Sequence, residues 1–337
     1  MFKKNHLYII CIAFITACAN DPNYLDSGFP NFIRINNGFA YVSNGELGLD
    51  IIDLASMQTV HRMLPQREMN SIDAMSIDGD LLFLVDARGE DYLAVYSLSD
   101  PIRPTLVSGP IGVNGGPFTG VSAANGNVVV SGGTTHLNYR KYDTNGKLST
   151  AESIFGRDRG HPDVLLSSDG AVAYLSTDFN DIVDDAEFGI VTILLDDLAG
   201  SPVLLSELGI PGSGFSNTTT RPTGFPIKTA IVGNHLAVAH NAGFTLIELI
   251  EGRYLAGVNT IDIDLEATNL AVNDLTAYVI GRDPSPTLVQ IDLTDINSPV
   301  VTDRMDLSIT SVPTSIAVTD DLILIAANED GIIVINQ

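Results

Sequence analysis

Short apolar stretches separated by tight polar turns run through the chain. The turns are Asn37-Gly38, Asp78-Gly79, Asn125-Gly126, Asp169-Gly170, Gly233-Asn234, Asn273-Asp274 and Asp320-Asp321. Their first members stand 41, 47, 44, 64, 40 and 47 residues apart. Gly, Asn and Asp accept the positive φ angles that two-residue hairpins require. A strand rich in Val, Ile, Leu and Tyr follows each turn: FAYVS, LLFLV, NVVVS, VAYLS, HLAVA, TAYVI and LILIA. β-Branched and aromatic residues suit a pleated, buried surface.

A further strand comes within about ten residues of most of these: LDIIDL, LAVYSL, LNYRKY, IVTILL, FTLIEL, LVQIDL and GIIVIN. Another precedes the turn, as in IDAMSI and TSIAV, and a fourth often follows a proline, as in PTLVS, SPVLLS and SPVVT. Each unit thus supplies four strands, A to D, in chain order. A sheet of ~40 residues cannot bury its own apolar face, and stacking such sheets around an axis solves that problem. The pattern predicts an all-β chain: a seven-bladed β-propeller of four-stranded antiparallel blades. An open β-solenoid also repeats, but with shorter coils that lack four-strand meanders.

The stretches LAVYSLSDPIRPTLV, at 93–107, and LVQIDLTDINSPVVT, at 288–302, share one grammar: an aliphatic strand, a polar turn with Asp, then paired positions ending in Pro104 and Pro299. They resemble the LVIVD repeat. The resemblance extends over all seven units, about residues 32–337, although LNYRKYDTNGKL in the third and LIELIEGRYL in the fifth lack the proline pair. It is silent about their C-to-D connections. It implies a propeller at the bacterial surface and supplies no catalytic residues.

The N-terminus, MFKKNHLYIICIAFITACAN, has a basic start followed by an apolar run from Leu7 to Ala17, too short to span a bilayer. That is the pattern of an export signal. Its end, Ile15-Thr16-Ala17-Cys18, resembles the lipobox of bacterial lipoproteins, with Ile15 in the slot usually held by Leu. The resemblance makes Cys18 the acylated first residue of the mature chain. Ala19 follows it, where enteric bacteria place Asp for inner-membrane retention, so the resemblance favours the outer membrane. The expected organisation is a signal peptide over 1–17, a tether or closing strand over 18–31 and one propeller domain over 32–337. The last unit ends after its C strand, so NDPNYLDSGFP, at 20–30, is the candidate to close the ring.

Composition narrows the partners. Hydrophobic residues make up 45% of the 337 and charged residues 17%, a globular balance. The two cysteines are Cys11, in the signal, and Cys18, so the mature body has no thiol for a disulfide, a nucleophile or a metal. Net charge is −24, or −26 once Lys3 and Lys4 are removed, with 15 basic against 41 acidic residues. Phosphate backbones and anionic lipid faces repel such a chain, which excludes nucleic acid as the expected partner and leaves membrane attachment to the lipid.

Irregular spacing marks the working end. In a propeller, B-to-C and D-to-A loops emerge at one end, and the 64-residue gap holds one of each: TDFNDIVDDAEFG at 177–189 and GIPGSGFSNTTTRPTGF at 209–225. The first offers Asp178, Asn180, Asp181, Asp184, Asp185 and Glu187, hard oxygen ligands of the kind Ca²⁺ takes, without the spacing of an EF-hand. A solvated acidic loop is the plainer reading. RGHPDV, at 159–164, places His161 and Asp163 where strand A of the fourth unit begins, near the channel mouth. Such a pair can work as acid and base, or cap the strand by bonding to neighbouring backbone. The corresponding positions elsewhere are Asp73, Thr119, Arg221, Lys228, Asn269 and Thr314, an asymmetric rim suited to a ligand. No GxSxG, HExxH or P-loop occurs. The expectation is a lipid-anchored, monomeric envelope protein that binds a protein or glycan without a cofactor. A lactonase-like propeller hydrolase is the alternative.

Overall fold

The computed structural model describes residues 23–25, 30–66, 68–87, 92–113, 118–132, 136–150, 152–155, 163–178, 188–195, 203–209, 228–240, 243–282 and 284–337. Among them, seven four-stranded antiparallel sheets form the blades of one β-propeller. In the first six blades, strand order follows the chain from A to D. The A strands are Phe32–Asn36, Ala74–Asp78, Phe118–Ala124, Val164–Leu166, Lys228–Val232, Glu266–Asn273 and Ser315–Val318. Each A strand touches that of the next blade, and the last returns to the first, so these strands line the centre.

The seventh blade contains Ser315–Val318, Leu322–Ala326 and Ile332–Asn336, and its fourth strand is Asn23–Leu25. This strand lies antiparallel to the blade's C strand, with Asn23 opposite Val334 and Leu25 opposite Ile332. The two ends of the chain therefore share one sheet, and no C strand is left as an open edge.

The B strands read as unbroken apolar runs because both of their faces are covered. In Leu81–Asp86, Leu82 and Leu84 pack on Tyr41, Leu49 and Ile51 of the first blade. Phe83 and Val85 point the other way, onto Val121, Val128 and Val130 of the third. The alternation repeats round the ring and gives one core at each blade junction, down to the closing one, where Ile33, Ala40 and Val42 meet Leu324, Ala326 and Val334. Fully burying a side chain of this size contributes about 1.5–3 kcal/mol.

The tight A-to-B turns lie where the pattern puts them, with positive φ at Asn37, Gly38, Asn125 and Gly126. Two are displaced by one residue. Asp78 pairs with Leu81 and Asn273 with Thr276, so the turns centre on Gly79-Asp80 and Asp274-Leu275. Gly79 (φ 54°) and Asp274 (φ 50°) take the left-handed conformation that begins each of these turns. The two units without a proline pair solve their C-to-D connection differently. The third turns at Asp143–Gly146 before a short D strand, Glu152–Phe155, whereas the fifth turns on Glu251 and Gly252 directly into Tyr254–Ile261.

The turn-bearing end is tied from blade to blade. Asn36 Nδ2 donates to Gly79 O (3.0 Å), Asn125 N to Asp78 Oδ2 (3.0 Å), Asn125 Nδ2 to Asp169 O (2.9 Å) and Asn273 Nδ2 to Asp320 Oδ1 (3.2 Å). The Asn and Asp side chains around these turns thus also bond to the next blade. Three tyrosines, each third in its B strand, do likewise. Tyr41 donates its hydroxyl to Pro101 O (3.0 Å), Tyr174 to Gly252 O (2.6 Å) and Tyr278 to Gln337 Oε1 (2.7 Å). Burial pushes Tyr41 up to about 12, with the Asp100 and Asp80 charges acting in the same direction, so it stays a donor at any physiological pH.

Candidate functional site at the loop-bearing end

The opposite end carries the B-to-C and D-to-A connections. In the fourth blade, strand B (Val172–Asp178) and strand C (Phe188–Leu194) pair up to Asp178 opposite Phe188, so residues 179–187 form their loop. Residues 210–227 join the D strand Val203–Gly209 to the A strand of the fifth blade and emerge at the same end. Both segments lie outside the described residues, as do His161, Arg221, Asp181, Asp184, Asp185, Glu187 and Cys18. Thr119 is placed within the A strand of the third blade. Among the described residues, no three His, Cys, Asp or Glu side chains gather as a metal site.

Asp163 and Lys228, named separately from their strand positions, meet across a blade junction. Lys228 Nζ lies 2.5 Å from Asp163 Oδ1, with side chains only 15% and 7% exposed. Asp163 Oδ2 also accepts from Thr229 N and Thr229 Oγ1, both at 3.1 Å. The same tie is made elsewhere with serine: Ser76 Oγ accepts from Ala123 N (3.1 Å), Ser122 Oγ from Leu166 N (3.0 Å) and Ser315 Oγ from Ile33 N (3.1 Å). In every case, an oxygen on one A strand takes the N–H one step further along the next. Asp163 is the charged version of that tie, with Lys228 as its counterion.

The other rim residues are also held by hydrogen bonds, Asp73 within its own blade and Asn269 across to the next. Asp73 Oδ2 accepts from Ala87 N (2.9 Å) and from the hydroxyl of Ser71, which also lies 2.9 Å from Oδ1 of the fully buried Asp86. Asp86 Oδ2 takes Asn70 N at 2.6 Å. Asn269 Nδ2 donates to Thr314 O (2.9 Å), and Thr314 N donates to Ala326 O (2.9 Å). These side chains stiffen the strand starts on which the loops are mounted.

Two B-to-C connections are themselves built as 3₁₀ turns, Gly45–Leu47 and Asn328–Asp330. The first ends at Gly48 (φ +95°), where a Cβ would lie 2.2 Å from Met63 O. In the second, Asp330 Oδ2 accepts from Ser311 Oγ (2.6 Å), Ser311 N (2.7 Å) and Thr310 N (3.0 Å), fastening the D-to-A connection to the B-to-C loop. The Ser311 hydroxyl, then the backbone N–H groups, hold the Asp330 carboxyl below its ordinary range.

Two interior groups stand out only in three dimensions. His240 ends the B strand of the fifth blade, fully buried, with Nε2 2.8 Å from Thr245 Oγ1. Arg34 occupies the A strand of the first blade, where burial lowers its pKa and the Asp163 charge, three blades away, opposes that shift.

No protein-family model and no curated protein sequence match the chain. Its likenesses are to solved propeller structures. The Myceliophteria thermophila Cps50 (Swd1) β-propeller domain has a TM-score of 0.69 at 11% identity, covering 94% of this chain and 98% of that one. The structure of U3-55K gives 0.66 at 8% identity, covering 95% and 99%. The computationally designed Ika8 protein gives 0.62 at 12%, covering 91% and 83%. At such identities, they establish a shared fold.

Proposed function

We propose that the protein is a lipid-anchored cell-envelope propeller, fixed through Cys18, that binds a protein or glycan at its loop-bearing end without catalysing a reaction. The observation that carries this reading is the contrast in construction along the strand starts. Bonds from Lys228 and Thr229 to Asp163 and from Asn269 to Thr314 cross blade junctions, Asp73 is held within its own blade, and the fourth and fifth blades mount their long connections on this stiff rim. A ring fixed in this way changes little on binding. Asp163, with its carboxylate already taken by three donors, serves a blade junction rather than acid–base chemistry. The LVIVD-like repeats and the lipobox-like Ile15-Thr16-Ala17-Cys18 support the surface location and the anchor.

Crosslinking on intact cells tests the binding role. We expect one reproducible partner whose capture is lost when residues 210–227 are replaced by a short Gly-Ser linker. Turnover of a lactone or ester panel with no partner captured would overturn it in favour of the hydrolase reading. For the anchor, Cys18→Ser is expected to move the protein from the membrane to the soluble fraction. An unchanged membrane fraction would refute lipidation at this residue.

A further inference from the structure

The fifth blade departs from the other six at its turn-bearing end. The C strands of those six stop at Asp53, Ser97, Lys141, Leu194, Asp292 and Asn336, each opposite the first residue of its B strand. In the fifth blade Glu248 holds that place, opposite His235, and the hairpin runs on to Ile250 opposite Tyr254. No other blade sets a histidine against a carboxylate there. Beside this pair the D strand bulges: Ile247 faces Val258 and Glu248 faces Ala256, so Gly257 is the unpaired extra residue, at φ 41°. A Cβ at Gly257 would lie 3.6 Å from Glu248 Oε2, so the glycine leaves the carboxylate uncovered on that side.

The result is a cleft of about 170 Å³ between the fifth blade and the C-to-D link of the sixth. Leu246, Val258 and Ile296 supply its apolar wall, and Asn259 Nδ2 donates to Asn297 O (3.1 Å) across the junction. That bond fixes the amide and leaves Asn259 Oδ1 as an acceptor. Among the described residues, no hydrogen bond or ion pair engages the side chain of His235 or of Glu248. One small cleft thus offers a charged acceptor, two neutral ones and an aliphatic wall.

We propose that this cleft binds the terminal ammonium group of a primary alkylamine, a free diamine or a lysine side chain, with Glu248 as its counterion. An ammonium group carries three N–H donors and no acceptor, which matches the Glu248 carboxylate, Asn259 Oδ1 and one nitrogen of the His235 imidazole. Its alkyl stem packs on Leu246, Val258 and Ile296. The cleft has room for about six water molecules, so it takes the end of a chain rather than a whole drug-sized ligand. A carboxylate or phosphate would instead meet Glu248 within a chain of net charge −24.

Diaminobutane and Nα-acetyl-lysine methylamide, titrated at ionic strength held constant with sodium chloride, serve as probes in calorimetry and amide-resolved NMR. The expected result is saturable binding of at least one amine, with shifts at the amides of His235, Gly257 and Asn259. The tighter of the two identifies the source, a free amine or a protein side chain. Butyltrimethylammonium keeps the charge and the stem without the N–H donors and is expected to bind at least about tenfold more weakly. Glu248→Gln is expected to weaken amine binding at least about tenfold. His235→Leu, which installs the residue of the second and seventh blades, is expected to fold and to weaken it as well. No saturable binding of either amine would overturn the proposal, and so would unchanged affinity in Glu248→Gln or equal binding of butyltrimethylammonium. If Glu248→Gln fails to fold, unchanged affinity in His235→Leu overturns it.

Discussion

At the scale of single residues, burial decides which charges matter. His240 is pushed down to about 4 by burial, against an ordinary 6.5. The unfolded chain therefore binds a proton between about pH 6.5 and 4 that the folded chain refuses, and stability falls as pH drops through that window. The effect is on the order of 3 kcal/mol. Urea denaturation of the native protein and of His240→Gln across pH 7 to 4 checks it: the variant should lose most of the slope. Lys228→Met leaves Asp163 buried with only the Thr229 donors and should destabilise the fold by about 2–4 kcal/mol. Adding Asp163→Asn to that variant should recover much of the loss.

The positions of Asp163 and Lys228 were legible from where their strands begin. Their pairing was not, since 65 residues of sequence separate them and only the stacking of successive blades makes the fourth and fifth strand starts neighbours. His240 closes an apolar strand as a lone polar letter, and a one-dimensional pattern does not distinguish a buried position there from an exposed one.

At the scale of elements, hairpins were readable because turn chemistry is local. Asn37-Gly38 and Asn125-Gly126 satisfy it within two residues, whereas Asp78 and Asn273 are turn formers that the ladder retains as strand. The closing strand was the hardest to see. Asn23–Leu25 contains no β-branched residue, and its conformation comes from the unpaired edge of Ile332–Asn336 rather than from its own propensity. Deleting residues 19–27 exposes that edge and should lower Tm and produce concentration-dependent association in analytical ultracentrifugation. Between blades, Tyr174→Phe removes the hydroxyl that reaches Gly252 O and should cost about 1 kcal/mol in urea denaturation. A neutral outcome would mean that water replaces the bond.

At the scale of the molecule, the closing strand also sets a direction. C strands run from the loop-bearing end to the turn-bearing end, and Asn23–Leu25 runs against its C strand, so the chain enters the ring from the turn side. From Cys18 to Asn23 are five residue steps, which at full extension span about 17 Å. If Cys18 carries the lipid, as proposed, that leash is too short for the ring to turn over. The Asn37 and Asn125 turns then face the bilayer, and the ends of the fourth and fifth blades look outward. Because the sequence holds no cysteine beyond Cys11 and Cys18, a cysteine introduced at Asn37 or at Thr310 can carry a fluorophore once Cys18 is lipidated as proposed, and lipid-headgroup quenchers in vesicles should darken the former far more than the latter. An attachment at the proposed anchor, so close to the seam, would act as a compass as well as a tether, fixing which end of the wheel meets the world.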